Sequence, residues 1–488
     1  MKRRTFLALS SVTALYLGAV YARSRGGIGM MGGGGMMGGG RSSLPAGGIK
    51  AKVLPIPELL NPVERKGVQH YDLEVQRAEQ DFFNGVMTQT FAINGSYLGP
   101  TLLMKDGDKV SVNYSNKLGE LITMHGHGMH LPSRMDGTAH QPISVGGRWS
   151  SVYTVKQKAC TNWYHPHTLD KTAEQVYKGL AGLIIIEDDE SRALDLPKRY
   201  GIDDIPLVLQ DRFFDRGQID YSPGMPQRMH GYIGDVPLAN GAIEPMLEVE
   251  AKEIRFRILN GSNSSVYTLS FSDGRRFDQI ATDNSFLERP VLIREVILSP
   301  AERAEIVVNL TDAYGETLVL RDTRSGKKFL TININKKASI QTRLPRKLTI
   351  LKKPSVSQAQ YRRKFVLSGM MGRFSINGRR MDPDRIDEYV PLNRLEIWEI
   401  ENRMMVDHNF HIHGTHFMLV ARNGKVESVA ENEKGYKDVV YVPANESVSF
   451  LVKMTDYSDE RVPYMYHCHF LEHEDAGMMG QFVVTKNS

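Results

Sequence analysis

The 488-residue sequence is poor in cysteine, in net charge and in long apolar runs. Its two cysteines, Cys160 and Cys468, give little from which to infer an oxidising compartment. The formal net charge is only +5, and the most basic stretch, 343–364, is interpreted as a solvated connection, so we expect no nucleic-acid partner. Beyond the first 25 residues no segment approaches the roughly 20 apolar residues of a spanning helix, so we expect no stable membrane insertion.

One of the two cysteines has an unusual setting. Cys468 lies between His467 and His469, and His473 and Met478 follow it. Side chains alternate along an extended strand, so the two flanking histidines point one way and the cysteine points the other. One strand can therefore serve two metal sites. Cys468, His473 and Met478 supply three members of the set of two His, one Cys and a weak axial Met that holds an electron-transfer copper. Core packing is the alternative for any one of these residues alone.

Three further His-x-His pairs could supply the missing ligands. They are His125 with His127, His165 with His167, and His411 with His413. Each pair puts two imidazoles on one face of a strand. With His467 and His469 they make eight, which is more than one mononuclear site uses, so a cluster of copper ions is the simplest interpretation. His408 lies an odd number of residues before His411, so on a regular strand it faces away, and we group it with Cys468.

These motifs resemble, in order, the four copper motifs of the multicopper oxidases. The runs concerned are 125–128, 163–167, 408–414 and 467–478. The resemblance covers almost the whole chain beyond the N-terminus. It is closest to the bacterial periplasmic oxidases that protect against copper, which are laccase-like enzymes, because the runs 177–183 and 472–479 match their style. Gly126 is a departure, since the family usually has an aromatic residue there, and it leaves open the packing near one copper.

The resemblance implies an all-β protein with three cupredoxin-like domains, each a Greek-key β-barrel or sandwich. We place the first domain at 49–190, the second at 195–335 and the third at 345–488. Alternating apolar and polar residues also predict half-buried antiparallel strands near 109–114, 254–258 and 447–452. An Asn-Gly pair recurs ahead of a proline and a strand-like run, which indicates three similar domains. The pairs begin at Asn94, Asn240 and Asn377.

The resemblance further implies four copper ions per chain in three kinds of site. The type 1 ligands would be His408, Cys468, His473 and Met478. The type 2 ligands would be His125 and His411. The pair of type 3 ions would be held by His127, His165, His167, His413, His467 and His469. All of these residues fall in the first and third domains, so the middle domain is predicted to be a spacer.

The implied reaction couples oxidation of a reductant to reduction of dioxygen to water. Electrons would pass one at a time from the type 1 site through Cys468 and an adjoining histidine to the cluster, where dioxygen takes up four. Protons need carriers close to the cluster, and Glu474 and Asp136 match the acidic residues of the family. Asp136 precedes Gly137, so a role as a turn residue is an equal alternative.

The reductant is less constrained by the sequence. Met404, Met405 and Asp407 precede His408, and thioethers beside a carboxylate suit Cu(I). We therefore predict a cuprous substrate site and a role in copper tolerance, although the methionines could instead fill the core. The chain lacks the Met-rich insertion of its copper-protective relatives, which would leave the type 1 site open to phenols, so laccase-type oxidation is the alternative. A copper-free structural relative is a third hypothesis, and a copper nitrite reductase has no use for eight cluster histidines.

The N-terminus predicts export. In residues 1–25, Arg3 and Arg4 precede an apolar stretch, which indicates a twin-arginine signal and a periplasmic location. A membrane anchor is the alternative, but the stretch is shorter than a spanning helix needs. Residues 26–48 form a Gly- and Met-rich linker. We expect its Gly- and Met-rich run 26–40 to be disordered, and the thioethers there could also collect cuprous ions. We expect the protein to be a monomer.

Overall fold

The structure of the chain is a computed structural model that describes residues 42–45, 52–338, 343–370 and 372–486. The predicted signal and the Gly- and Met-rich run 26–40 lie outside these residues, so what is predicted for them stays a prediction. Residues Arg41–Ser488 make one compact unit. A helix long and apolar enough to cross a membrane is not found in the described part of the chain.

Strands dominate three successive stretches of the chain. The first stretch (59–187) contains β1 Leu59–Leu60, β2 Val63–Arg65, β3 Val68–Asp81, β4 Met87–Ile93, β5 Thr101–Lys105, β6 Lys109–Lys117, β7 His125–His127, β8 Arg148–Thr154, β9 Cys160–His165 and β10 Gly182–Glu187. The middle stretch (204–337) contains β11 Asp204–Asp215, β12 Gln218–Asp220, β13 Val236–Ala239, β14 Ala242–Ile243, β15 Met246–Ala251, β16 Glu253–Asn260, β17 Tyr267–Phe271, β18 Phe277–Ala281, β19 Phe286–Ile293, β20 Val296–Leu298, β21 Arg303–Asn309, β22 Thr317–Asp322 and β23 Lys328–Lys337. The third stretch (361–485) contains β24 Tyr361–Met370, β25 Arg373–Ile376, β26 Glu388–Pro391, β27 Glu396–Asn402, β28 His408–Ile412, β29 Phe417–Arg422, β30 Tyr436–Lys437, β31 Val439–Val442, β32 Ser447–Val452, β33 Asp459–His467 and β34 Met479–Thr485.

The helices among the described residues are short. They are α1 Thr172–Tyr177, α2 Asp189–Ala193, α3 Met225–His230 and α4 Leu471–Asp475. Single 3-10 turns occupy Ser133–Met135, Val356–Gln358, Val426–Ser428 and Glu431–Glu433.

Each stretch builds two sheets from its own strands. The first has the orders β1-β5-β10-β9-β7 and β2-β3-β6-β8, with β4 also on β3. The middle has β14-β13-β11-β16-β21-β18-β19, with β12 also on β11, and β15-β23-β22-β17-β20. The third has β25-β24-β27-β32-β29-β30 and β26-β34-β33-β28-β31. Each stretch also has its own buried apolar cluster, around residues such as Val75, Phe256 and Phe410. The predicted all-β fold is confirmed, while the exact domain boundaries stay a prediction.

The three Asn-Gly pairs take the same conformation and make the same hydrogen bonds. Asn94, Asn240 and Asn377 have φ values of 58°, 50° and 52°. Each side chain accepts a hydrogen bond from a backbone N–H in another strand of its stretch, and donates one to the carbonyl two residues before that N–H. An asparagine tolerates the left-handed region and can bond the backbone at once, which explains its choice here. The sequence repeat is therefore a structural repeat.

Two of the three predicted antiparallel strands also have a parallel neighbour. β32 pairs antiparallel with both of its neighbours, as predicted. β6 pairs parallel with β3, and β16 pairs parallel with β11. The prediction of antiparallel pairing is wrong for these two strand pairs. In each case the chain crosses to the facing sheet, through β5 or β15, before it returns to the first sheet.

The prediction that β16 is half-buried is also wrong. Every residue of β16 is buried, including Arg255 and Arg257. Their guanidinium groups bind the carboxylates of Asp204 and Glu305, and the Glu305 carboxylate also accepts a hydrogen bond from Thr161 at 2.7 Å. Because this charged face packs against the first stretch, the arginines are paired rather than solvated.

Helix α4 of the third stretch joins all three stretches beside the metal-binding motifs. The Asp475 carboxylate accepts hydrogen bonds from the first two amides of α1, Thr172 at 3.1 Å and Ala173 at 2.9 Å. The Glu472 carboxylate accepts from Asn263 at 2.8 Å and from Ser264 at 2.5 Å, both in the middle stretch. These bonds fix α4 on two neighbours at once, because a buried carboxylate left without donors would be costly.

Replacing Asn240 by Ala is expected to lower the free energy of unfolding by about 2–4 kcal/mol, because the buried Val208 N–H loses its acceptor and Ala is strained at positive φ. That acceptor lies at 2.7 Å, and the side chain also donates to Pro55 and Pro206. Urea denaturation measures the change. Asn240→Gly is the matched control, because glycine accepts the backbone conformation and loses only the hydrogen bonds. Unchanged stability of both variants would contradict this account.

Candidate metal centres

The His467-Cys468-His469 segment places its side chains on two sides, as the alternation predicts. His467 Nε2 lies 3.1 Å from His413 Nε2 and 3.2 Å from His167 Nε2. Cys468 Sγ lies on the other side, 3.4 Å from His408 Nδ1. The end of β33 therefore belongs to a histidine cluster on one side and to a cysteine site on the other.

The histidine cluster forms where strands of the first and third stretches meet. His125 in β7 stands opposite His165 in β9, and His411 in β28 stands opposite His467 in β33. Both pairs are antiparallel neighbours, so the paired strands bring four His-x-His motifs to one place. All eight rings are buried, with at most 1% of each residue exposed.

The outward nitrogens of most cluster rings donate to protein oxygens. The Nδ1 atoms of His125, His165, His411 and His467 face backbone carbonyls at 2.7, 2.7, 2.8 and 3.1 Å. His413 Nδ1 faces a carboxylate oxygen of Asp136 at 2.8 Å. An oxygen acceptor at Nδ1 places the ring proton there, so the lone pair of each ring is on Nε2 and points into the cluster.

Where both rings carry the proton on the outward nitrogen, as in the His413–His467 pair, the inward nitrogens face one another without a proton between them. His127 Nδ1 lies 3.3 Å from His165 Nε2, which lies 3.4 Å from His469 Nε2. His167, His413 and His467 form a second triplet, whose Nε2 atoms meet at the distances given above. The buried Nε2 atoms of His125 and His411 have no hydrogen-bond partner. Facing lone pairs repel, so this cavity fits cations bound by neutral imidazole, copper among them.

Burial keeps these rings in the neutral form that binds metal. It lowers the pKa of His167 to about 4. In five further rings, burial first and the neighbouring imidazoles in addition hold the pKa well below 6.5: His127, His165, His411, His413 and His469.

The cysteine site has the donors of an electron-transfer copper. His408 Nδ1 and His473 Nδ1 lie 3.4 and 3.9 Å from Cys468 Sγ, and 3.0 Å from each other. Met478 is fully buried in the same apolar cluster, and its carbonyl accepts a hydrogen bond from Cys468 N. Burial raises the pKa of the Cys468 thiol to about 12, so the metal must displace its proton on binding.

Both histidines of the cysteine site are covered. His408 Nε2 lies 3.2 Å from Met404 Sδ, and His473 Nε2 donates to the Met229 carbonyl in α3 at 3.3 Å. Phe374 stacks on His473 with ring centroids 4.1 Å apart. Both histidines are 0% exposed. The expectation that the site is open without the insertion is wrong, because Met404 and Phe374 of the third stretch and Met229 of the middle stretch cover the two histidines.

The residues of the predicted cuprous site have separate partners. Met404 is buried against His408, whereas Met405 is 84% exposed and its sulfur accepts a hydrogen bond from Asn445. Asp407 binds the Tyr441 hydroxyl at 2.6 Å and the Ala444 amide at 3.1 Å. Met404 is therefore the one of these three residues whose described contacts include a histidine of the cysteine site.

The two predicted proton carriers both contact cluster histidines. Glu474 lies 3.1 Å from His467 Nδ1 and 3.7 Å from His167 Nε2. Burial alone would raise the pKa of Glu474, but His467 and His167 outweigh it and hold the pKa at about 2. Asp136 ends the 3-10 turn Ser133–Met135 and also binds His413 and His125, so its position in a turn is compatible with a place at the cluster, and its role as a proton carrier stays a prediction.

Two charged residues at the cluster escaped the sequence prediction. Asp438 Oδ1 lies 3.0 Å from His127 Nε2, and Arg303 of the middle stretch donates to both Asp438 oxygens at 2.8 and 2.6 Å. The middle stretch is thus more than a spacer. Neither residue belongs to a metal motif, and the sequence signal was weak, since Asp438 only precedes the apolar pair Val439-Val440 and follows Lys437.

Comparison with known proteins agrees with this geometry. Models of the multicopper oxidase family match residues 74–191 and 344–488. Each of these segments contains four of the eight cluster histidines. The chain belongs to the multicopper oxidase family. It is therefore an oxidoreductase of a family that uses copper, dioxygen and a reductant.

Relatives of this oxidase carry different names. Multicopper oxidase mco of Staphylococcus aureus is 37% identical over 435 residues, which cover 88% of this chain and 92% of that protein. Cell division protein FtsP of Xenorhabdus nematophila is 36% identical and covers 88% of this chain and 92% of its own. The solved structure of the laccase-like multi-copper oxidase CueO from Ochrobactrum sp. has 34% identity and a TM-score of 0.82, covering 88% of this chain and 100% of that one.

Substitution by Ala is expected to be harmful at Gly128 of this oxidase and to have little effect at Gly126. A Cβ at Gly128, where φ is +78°, would lie 2.5 Å from Asp438 Oδ2 and 2.7 Å from Arg303 Nη2. A Cβ at Gly126 would meet only flexible side chains, with Met129 Cγ nearest at 3.2 Å. Gly128→Ala should therefore lower copper content and thermal stability, and Gly126→Ala should leave both near the parent values. Metal analysis and calorimetry measure this, and equal behaviour of the two variants would refute it.

The packing around Gly126 also accounts for the absence of the aromatic residue that the family usually has at this position. Met129 and Leu131 lie where a side chain at position 126 would point, so they occupy the volume that an aromatic residue would otherwise need.

Proposed function

We propose that this multicopper oxidase oxidises Cu(I) to Cu(II), reduces dioxygen to water, and so confers copper tolerance. The observation that carries the proposal is the contact of the Met404 thioether with His408 Nε2 at 3.2 Å, on a histidine that is otherwise buried. A thioether is a soft ligand that favours cuprous ions. Met404 therefore stands between solvent and the cysteine site as the group suited to pass on an electron from Cu(I).

The copper ligands proposed here follow the donor sets described above. His408, Cys468, His473 and Met478 would hold the type 1 ion, and His125 and His411 the type 2 ion. The two type 3 ions would be held by the triplet His127, His165 and His469 and by the triplet His167, His413 and His467. Four copper ions held by these residues would supply one-electron transfer from the reductant at the first site and the reduction of dioxygen at the cluster.

The protein connects the two sites through one hydrogen bond as well as through the chain. His467 Nδ1 donates to the Cys468 carbonyl at 3.1 Å, so the cysteine residue touches a cluster histidine by bond and by hydrogen bond. Glu474, next to His473 in sequence, places its carboxylate on the cluster side. We propose that Glu474 and Asp136 hold and transfer protons there.

Further methionines surround the cover of the cysteine site. Met225 and Met370 are 59% and 69% exposed, and Met229 Sδ accepts a hydrogen bond from Gly372 N. A Cβ at Gly372 would lie 3.3 Å from Met225 Sδ, so α3 and the end of β24 approach each other. Exposed thioethers beside the helix that covers His473 support a cuprous substrate over an organic one, since the histidine rings themselves are closed to solvent.

Laccase-type oxidation of phenols is the second candidate. A cavity of about 380 Å³ is lined by Met405, Phe470, Arg324 and Lys327 among others, and Phe470 stacks on His473 with ring centroids 5.4 Å apart. Phenols could bind there and reach the site through Phe470. The Ochrobactrum relative is described as active towards lignin model compounds and lignosulfonate, which supports this alternative.

A copper-free structural role is the third candidate, and the name of the FtsP relatives keeps it open. The unpartnered inward nitrogens of the cluster argue against it, because a structural protein gains nothing from facing lone pairs. We also propose export by the twin-arginine route, which the Arg3-Arg4 pair supports, and action as a monomer, since one chain completes both sites.

Oxygen uptake by the copper-loaded protein tests the substrate. Cu(I) should be turned over readily, and a simple phenol slowly unless Cu(II) is added. Met404→Leu should reduce Cu(I) turnover by about tenfold, the effect of roughly 1.4 kcal/mol of lost interaction. Met454→Leu is the matched control, because Met454 is buried in the same apolar cluster, whereas the sulfur that contacts His408 is that of Met404. Efficient phenol turnover without added copper, together with poor Cu(I) turnover, would overturn the proposal.

Glu474→Gln should slow reoxidation by dioxygen by about 100-fold or more, since a positioned acid–base group is lost. Reduction of the type 1 site should keep its parent rate, because the carboxylate faces the histidine cluster. Stopped-flow absorption at the type 1 band separates the two steps, without oxygen for the first and with oxygen for the second. Equal slowing of both steps would count against the assignment.

A further inference from the structure

We propose that Asp438, gripped by Arg303, is a positioning residue that fixes the ring orientation and the tautomer of His127 for metal binding. The inference rests on the proposed copper sites. It concerns a carboxylate that belongs to none of the metal motifs and an arginine from the stretch that carries no ligand.

His127 differs from the other cluster rings. Among the described residues, the five rings whose outward bonds are given above all donate through Nδ1 and present Nε2. His127 is reversed, with Nε2 facing Asp438 Oδ1 at 3.0 Å and Nδ1 facing His165 at 3.3 Å. An ionised carboxylate only accepts, so the His127 proton must be on Nε2 and its lone pair on Nδ1. Asp438 therefore selects the atom that His127 offers.

Arg303 holds the carboxylate in place. Its two terminal nitrogens donate to the two Asp438 oxygens, a bidentate geometry that fixes direction as well as distance. The guanidinium is held in turn by the Thr161 carbonyl at 2.9 Å and by Asn162 Oδ1 at 2.8 Å. The side chains of both charged residues are 0% exposed. The middle stretch thus orients a ligand of the first stretch through an acid of the third.

The same residue also orients a second ring. The Asp438 carbonyl accepts from His411 Nδ1 at 2.8 Å, and the His127 and His411 rings stack with centroids 3.8 Å apart and 8° between their planes. A side-chain substitution at position 438 keeps the carbonyl, so it separates the two functions. His127, a proposed type 3 ligand, loses its hydrogen-bonded carboxylate, whereas His411 Nδ1, 3.6 Å from the same oxygen, keeps the carbonyl as its acceptor.

The test replaces Asp438 by Asn and measures copper per chain after dialysis against graded concentrations of a copper chelator, together with the type 3 absorption band and the electron paramagnetic resonance spectrum. Asn leaves one acceptor oxygen and an NH2 group to face three donors, His127 Nε2 and the two terminal nitrogens of Arg303. The weakening of an outer hydrogen-bond partner typically lowers metal affinity by about 10- to 100-fold. We expect that decrease for type 3 copper, with a weakened type 3 band and an extra paramagnetic copper signal. The type 1 band should persist and shows that the third stretch is folded.

Asp283→Asn is the matched control. Asp283 is buried in the same ionic network, 3.9 Å from Arg303 Nη1 and 3.0 Å from Lys437 Nζ. Its described ionic partners are these cations and not a histidine. It should keep the type 3 copper. Arg303→Lys is the second variant, because it keeps the charge but loses the bidentate grip, and it should show a smaller decrease of the same kind.

An unchanged type 3 band in folded Asp438→Asn protein would overturn the inference, and so would equal losses in Asp438→Asn and Asp283→Asn. The copper content of the parent protein reports on the proposed function, and only the differences between variants report on Asp438.

Discussion

The repulsion between facing imidazole lone pairs governs the arrangement of this molecule. In the His127–His165 and His413–His467 pairs the facing nitrogens lie 3.3 and 3.1 Å apart with no proton to share. Such a cavity is held open because six of the eight rings are fastened from behind, four by backbone carbonyls and two by carboxylates. The acceptors behind the rings, rather than the rings themselves, determine the cavity, and they come from turns such as the one that ends at Asp136.

Fastening the rings requires the stretches to be held rigidly together. The Arg303–Asp438 pair, the α4 carboxylates and the buried arginines of β16 all cross between stretches close to the cluster. Removing one partner from a buried ion pair typically costs about 3–5 kcal/mol, because the other charge is left uncompensated. Polar contacts of this kind define relative position more sharply than apolar packing does, since they depend on direction.

Sequence patterns were most informative where one short segment determines the geometry. The alternation at His467-Cys468-His469 gave the two-sided site, and the repeated Asn-Gly pairs gave three related β-units. Patterns were less informative where distant segments meet. The parallel edges of β6 and β16 depend on the order of strands in sheets. Arg255 and Arg257 looked like solvent-facing residues because their partners are far away in sequence, and the same distance hid Asp438 and Arg303.

The cover over the cysteine site has an evolutionary consequence. Helix α3, whose Met229 carbonyl closes over His473, belongs to a stretch that contributes no proposed copper ligand. The residues that face an incoming reductant can therefore be exchanged without disturbing the donors that set the electronic properties of the metal. Selection can act on reductant choice and on oxygen chemistry separately, and related oxidases that share every ligand can still differ in the molecules from which they take electrons.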